Sequence, residues 1–258
     1  SIVNNRLGIK YMSDNEEFIG YLTNIKSFSV PDTYNGQHIL GAGPNRTGVD
    51  SSNLIACLLL YFYTESPDQE GNVLKKAIFK YEPYFYVICK PNKIEDLQQE
   101  LFRHYEGKVT KVEILEKVDL SMSNHLAGLK KKVIKISFKN VQNLISVRGE
   151  LRKIVQKNKA KEKVLTFSEL LNPSEKVDLL EHIEDLREDD VQYHVRVSID
   201  NDIRCGKWYK VKNMSEIGCS LTVLDDKVTK NPVTVLAFDI ETTKAPLKFP
   251  DPRVDSIM

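Results

Sequence analysis

Asp239 and Glu241 sit two residues apart in the run Phe238-Asp239-Ile240-Glu241-Thr242, which follows the apolar stretch Val233 to Ala237. In an extended chain, side chains alternate between faces, so the two carboxylates share one side while Phe238 and Ile240 take the other. Paired hard oxygen donors suit Mg²⁺ or Mn²⁺, and two such ions can hydrolyse a phosphodiester, one activating water and the other stabilising the leaving oxygen. An Asp-x-Glu triplet alone is a weak signal in a chain with 28% charged residues. Its weight comes from the apolar strand expected to carry it, because carboxylates held against a core need either a cation or protein partners. On spacing alone both outcomes stay open.

Other chemistry has less support. The four cysteines, Cys57, Cys89, Cys205 and Cys219, are far apart and form no Cys-x-x-Cys pair, which reads as reduced, mostly buried thiols. His104, His125, His182 and His194 lack metal-ligand spacing, and no Gly-rich phosphate loop follows a strand. No apolar run reaches the ~18 residues of a membrane helix. With 37 basic and 36 acidic residues the net charge is +1, so charge distribution carries more information than the total. Between Lys130 and Lys163 basic residues face only Glu150 and Glu162, whereas Glu169 to Asp190 is acidic. Lys130, Lys131, Lys132, Arg148, Arg152 and Lys153 are therefore candidate phosphate contacts, against the alternative of a solvated helix face that offsets an acidic helix nearby.

The elements that must position these groups follow from periodicity. Residues 16–30 read as a strand with Ile19, Tyr21 and Ile25 inward, and 31–52 as a Gly- and Pro-rich loop. Leu54 to Thr64 and Val73 to Tyr81 form a hairpin. From Pro83 the order is strand (84–89), helix capped by Asn92 and ended by Gly107, strand (108–115), strand (132–138), helix capped by Asn140, and strand (194–199). That βαββαβ order is the ferredoxin-like plan also used by RNA-recognition modules. Tyr84, Tyr86 and Phe138 are candidates for base stacking on such a sheet, but core is the preferred reading. Strands around Trp208 and at Cys219 to Leu224 complete a domain expected to span 1–230, with the core at about 83–200. A second domain, 231–258, opens with the Asp239 strand. The start at Ser1 and the apolar run beginning at the far end suggest a piece of a longer chain.

The stretch Val235 to Asp251 resembles the first exonuclease motif of B-family DNA polymerases, and its continuation Pro246-Leu247-Lys248-Phe249-Pro250-Asp251 resembles the epsilon-type branch of that family. Pro83 to Val87, Asn124 to Lys130, Asp190 to Asp200 and Trp208 to Val211 resemble it in the same order. Ala245, the short segment after the basic run, and the loop 31–52 depart from the pattern. The resemblance implies an α+β polymerase N-terminal domain with mixed β-sheets, followed by the first strand of a ribonuclease-H-like 3′-to-5′ exonuclease. It implies that Asp239 bridges two metals and that Glu241 binds one, with Mg²⁺ or Mn²⁺ in the full-length enzyme and none bound in this piece. The implied partners are primer-template and single-stranded template DNA, the remaining polymerase domains and the accessory subunits of the holoenzyme, in the nucleus and without a membrane. The remaining acidic ligands and the polymerase residues lie outside this sequence, so the piece alone is expected to be inactive. The alternatives are an RNA-recognition-like single-strand-binding module and a metal-dependent nuclease of unrelated lineage.

Overall fold

The computed structural model describes residues 10–11, 16–31, 54–65, 73–121, 127–164, 178–214 and 218–229, together with 237, 239, 242–244, 249, 251, 253 and 254. The chain divides into two compact units, Ser1–Val228 and Thr229–Met258. The loop 31–52 and the segment 165–177 lie almost wholly outside the described residues.

The first unit holds two sheets. One is built from β1 (Lys10–Tyr11), β2 (Glu17–Pro31), β3 (Leu54–Tyr63), β4 (Leu74–Lys80), β9 (Trp208–Met214) and β10 (Gly218–Val223), in the order β1-β4-β3-β2-β9-β10. Apart from the short parallel β1–β4 pair it is antiparallel. The expected hairpin at β3 and β4 is present. Its strands are near-continuous in burial, with Leu58, Leu60 and Phe62 on one side and Cys57 and Leu59 on the other, as befits strands covered on both faces. The inward face of β2 is opposite to that expected. Phe18, Gly20 and Leu22 are buried while Ile19 is exposed, because a one-residue change of parity exchanges the two faces. Where β10 begins, Gly218 has φ +81°, and a Cβ there would lie 2.2 Å from the Ile78 carbonyl oxygen. Only glycine permits that approach to β4.

The second sheet is built from β5 (Tyr84–Cys89), β6 (Val109–Val118), β7 (Lys130–Phe138) and β8 (Ile183–Arg187), in the order β6-β7-β5-β8, antiparallel throughout. Helices α1 (Ile94–His104) and α2 (Val141–Val164) pack on one face. Leu97 and Leu101 of α1 and Val147, Leu151 and Val155 of α2 meet Phe85, Val87, Ile134, Ile136 and Phe138 of the sheet in a single core. Helical spacing on one side and period-two spacing on the other therefore identify the same interface. Gly107, at φ +79°, stops α1 as expected.

Three expectations need correction. The last strand of this sheet is Ile183–Arg187, within the segment read as an acidic helix; Ile183 and Leu186 are buried. Residues 194–199 are not a strand but part of α3 (Tyr193–Asp200), whose Tyr193, Arg196 and Val197 are buried at i, i+3 and i+4. Asn92 does not cap α1. A 3-10 turn over Pro91–Lys93 leads into the helix, and its N-cap, Lys93, makes no side-chain cap bond.

Asn140 does cap α2. Its Oδ1 accepts from the Asn143 amide at 2.8 Å, and its Nδ2 donates to the Leu54 carbonyl at 3.2 Å, tying this helix to the other sheet. Asn140 is fully buried. Replacing it by alanine orphans both backbone groups and is expected to cost about 2 kcal/mol, read as a lowered urea midpoint with unchanged m-value.

Candidate metal and nucleic-acid sites

Within the unit 229–258, Ala237 and Asp239 are both exposed and lie in irregular backbone, and Thr242 makes an isolated bridge. The buried strand expected around them is not seen at these two positions. Glu241, Phe238 and Ile240 lie outside the described residues. An exposed carboxylate avoids the desolvation cost that a buried one pays. It also remains accessible to a hydrated hard cation, so the donor chemistry at Asp239 fits Mg²⁺ or Mn²⁺. Among the described residues no group of three His, Cys, Asp or Glu side chains could hold a metal.

The six candidate basic residues do not converge. Arg148 donates to the Asp189 carbonyl at 2.8 Å and Arg152 pairs with the Asp189 carboxylate at 2.6 Å. Further along the helix Lys159, on the same face, reaches Asp185 at 3.1 Å, and Lys161, on the other flank, pairs with Glu181. Lys131 approaches Glu184 at 3.5 Å. Lys130, Lys132 and Lys153 are exposed, with Lys132 in register with Glu116. The geometry at α2 is that of a basic helix offsetting the acidic segment beside it, the plainer of the two sequence readings.

The aromatic candidates separate by face. Phe138 stacks on Phe85 at 5.3 Å beneath the helices, whereas Tyr84 and Tyr86 point to the opposite face with Ile88 and Val133. Tyr84 is held from several directions. Its hydroxyl donates to Asp200 at 2.6 Å, as Tyr81 does at 2.8 Å, while Lys135 and the Arg196 guanidinium lie 4.0 and 4.6 Å from its ring centre. Burial, with the Asp200 hydrogen bonds added, pushes both phenols well above their ordinary range. The two tyrosines are therefore mostly buried packing groups, in line with the preferred reading.

Sequence reasoning missed the lysines of this open face. Lys117 sits 4.8 Å from the Tyr86 ring, and Lys135 is opposite Glu113 in the ladder, as Lys111 is opposite Ser137. Beside them is a cavity of about 520 Å³ reached by Lys80, Lys111, Lys135, Tyr81 and Ser137. The only sequence signal was the alternation in β7, where Val133, Lys135 and Ser137 oppose Ile134, Ile136 and Phe138.

At the other end of this face Arg187 bridges Asp119 and Asp185. Burial pushes the Asp119 carboxyl up, but the Arg187 guanidinium and the Ser121 amide hold it below its ordinary value of 3.8. Asp185 is likewise lowered by Arg187 and Lys159 against the effect of burial. A carboxyl depressed in the fold adds stability above the unfolded-chain value, and that contribution is lost as pH falls from there through the folded value. Unfolding free energy is thus expected to drop as pH falls below about 3.8, through the lowered values of these two carboxyls. Asp119→Asn should flatten that slope, as measured by urea titration at each pH.

Residues 184–258 match the family described as DNA polymerase family B, exonuclease domain. A family B DNA polymerase from the archaeon Pyrobaculum calidifontis shares the fold over 93% of this chain and 24% of its own, with a TM-score of 0.52 at 17% identity. The chain belongs to the family B DNA polymerases. More narrowly, its relatives are DNA polymerase epsilon catalytic subunits. The A subunit of Arabidopsis thaliana is 40% identical over 257 residues, 98% of this chain, and that of Saccharomyces cerevisiae 41% identical over 245 residues, 93% of this chain. The chain spans 11% and 10% of the length of these two relatives.

Proposed function

We propose that this chain is the amino-terminal part of a replicative, epsilon-type DNA-directed DNA polymerase with a proofreading 3′-to-5′ exonuclease. Identity of 40% across 98% of the chain to an epsilon catalytic subunit carries the reading, and the exonuclease-domain match over 184–258 supports it. In this reading residues 1–230 scaffold the exonuclease and palm and touch the template single strand, and 231–258 open the exonuclease domain. Asp239 and Glu241 would hold the divalent cations, Mg²⁺ or Mn²⁺, which would supply a polarised nucleophile and a charge partner for the leaving oxygen. The other acidic ligands come from outside these 258 residues, so the piece alone does not hydrolyse DNA. Its partners are primer-template DNA, the other polymerase domains and the accessory subunits of the holoenzyme, in the nucleus. The antiparallel order β6-β7-β5-β8 with two helices on one face supports a split βαβ core ending at Arg187.

The complete protein should extend a primed template with deoxynucleotides and remove a mismatched 3′ terminus when Mg²⁺ is present. A complete, folded protein that does neither overturns the proposal.

A further inference from the structure

The geometry points to a phosphate-binding cleft between the two sheets of the first unit, formed by Lys80 and Lys135 and extended by Lys117, that holds the backbone of single-stranded nucleic acid. It deepens the template contact proposed above and rests on that reading. It uses none of the six basic residues that the sequence singled out.

The charge balance of the cavity is the first observation. Lys111 is neutralised by Glu113 at 2.7 Å, and Glu82 is an exposed acid on the rim. Neither Lys80 nor Lys135 has a carboxylate within ion-pair distance among the described residues, and both line the cavity. Their positions are fixed by the sheets. Lys80 ends β4, and Lys135 is pinned 4.0 Å above the Tyr84 ring, itself anchored through its hydroxyl to Asp200. A half-buried ammonium seated over an aromatic face keeps its charge available to an anion while losing little side-chain freedom on binding. Ser137 adds a hydroxyl donor at the same cavity.

Size and continuation select the ligand. About 520 Å³ is far more than one phosphate needs and falls in the range of ligand sites, and Tyr81 and Ile55 leave an apolar wall for an attached nucleoside. Lys117, the second lysine held over a ring, lies on the same face four residues along β6 from Glu113, the partner of Lys135. At strand rise that is roughly 13 Å. A strand reaches both lysines, whereas a free mononucleotide reaches one.

Fluorescence anisotropy with a labelled oligothymidylate, on this chain and its variants at several salt concentrations, tests the assignment, with unlabelled thymidine monophosphate as competitor. Lys80→Gln with Lys135→Gln, which keeps much of each aliphatic stem, should weaken strand binding at least about tenfold. It should also lower the salt slope by about 1.4, at ~0.7 per phosphate contact. Lys80→Gln alone should weaken binding severalfold without touching the Tyr84 packing, which covers the case in which the double variant folds poorly. Lys117→Gln should also weaken it severalfold, and Lys90→Gln, at an exposed lysine that does not line the cavity, should leave it unchanged. Wild-type affinity and slope in the double variant overturn the cleft but leave the template-contact reading standing. No strand binding by the wild-type chain overturns both. Full competition by the mononucleotide, with Lys117→Gln silent, overturns the strand as the ligand.

Discussion

Asp239→Ala in the complete protein is expected, on the proposed function, to slow removal of a 3′-terminal nucleotide by at least about 10³-fold while primer extension continues. A metal ion at the scissile phosphate contributes several kcal/mol to the transition state, and each 1.36 kcal/mol is tenfold in rate. On the proposed role of Asp239 as a ligand shared by two ions, its loss would affect both and should be the largest effect of any single substitution in this chain. Glu241→Ala, proposed to reach one ion, should lower the rate by less. Asp239 is exposed, so the variant should fold normally, and the defect should appear in the excision rate constant under single-turnover conditions. Equal loss of extension and excision would mean that Asp239 holds the protein together and does not serve the proofreading site.

The second large effect concerns stability. Phe138 is fully buried and stacked on Phe85 at 5.3 Å with the rings inclined by 24°. It belongs to the core in which Leu97 and Leu101 of α1 and Leu151 of α2 close on the sheet. Phe138→Ala removes the ring contacts and leaves a cavity that elements locked on both sides cannot fill. The expected cost is about 3–5 kcal/mol, a large part of the stability of an ordinary domain. Urea unfolding should show it, and Phe138→Leu should recover much of the loss. A cost under about 1 kcal/mol would mean that α1 and α2 do not pack on this sheet as described.

How much of this was legible in the sequence depends on which residues are considered. Strands β3, β4, β5 and β7, helix α1 and the Asn140 cap follow from periodicity and local chemistry. Residues 193–200 show why the rest did not. His194 to Ile199 alternates like a strand and carries β-branched residues, yet Tyr193, Arg196 and Val197 also satisfy one face of a short helix. Tertiary contacts decide the matter. The Arg196 guanidinium packs on Tyr84, and the Tyr193 hydroxyl donates to the Tyr81 carbonyl at 2.7 Å. No local pattern encodes partners more than a hundred residues away.

The same limit applies to the sites. Arg152 could not be assigned to Asp189, nor Lys161 to Glu181, without knowing that β8 lies along α2. Conversely, Lys80, Lys117 and Lys135 are scattered in sequence and come to one face only through strand pairing and the meeting of two sheets. The expectation that Asp239 and Glu241 share a face is of the local kind, since alternation in an extended chain requires nothing beyond the five residues around them.

The most direct test of the central claim, that Asp239 and Glu241 are part of a metal site completed by other segments of the polymerase, is exonuclease assay of these 258 residues alone. With Mg²⁺ and a labelled single-stranded primer the chain should leave the 3′ end intact, whereas the complete protein should trim it and should lose that trimming on Asp239→Ala. Mg²⁺-dependent digestion by the chain alone, abolished by Asp239→Ala, would contradict the account.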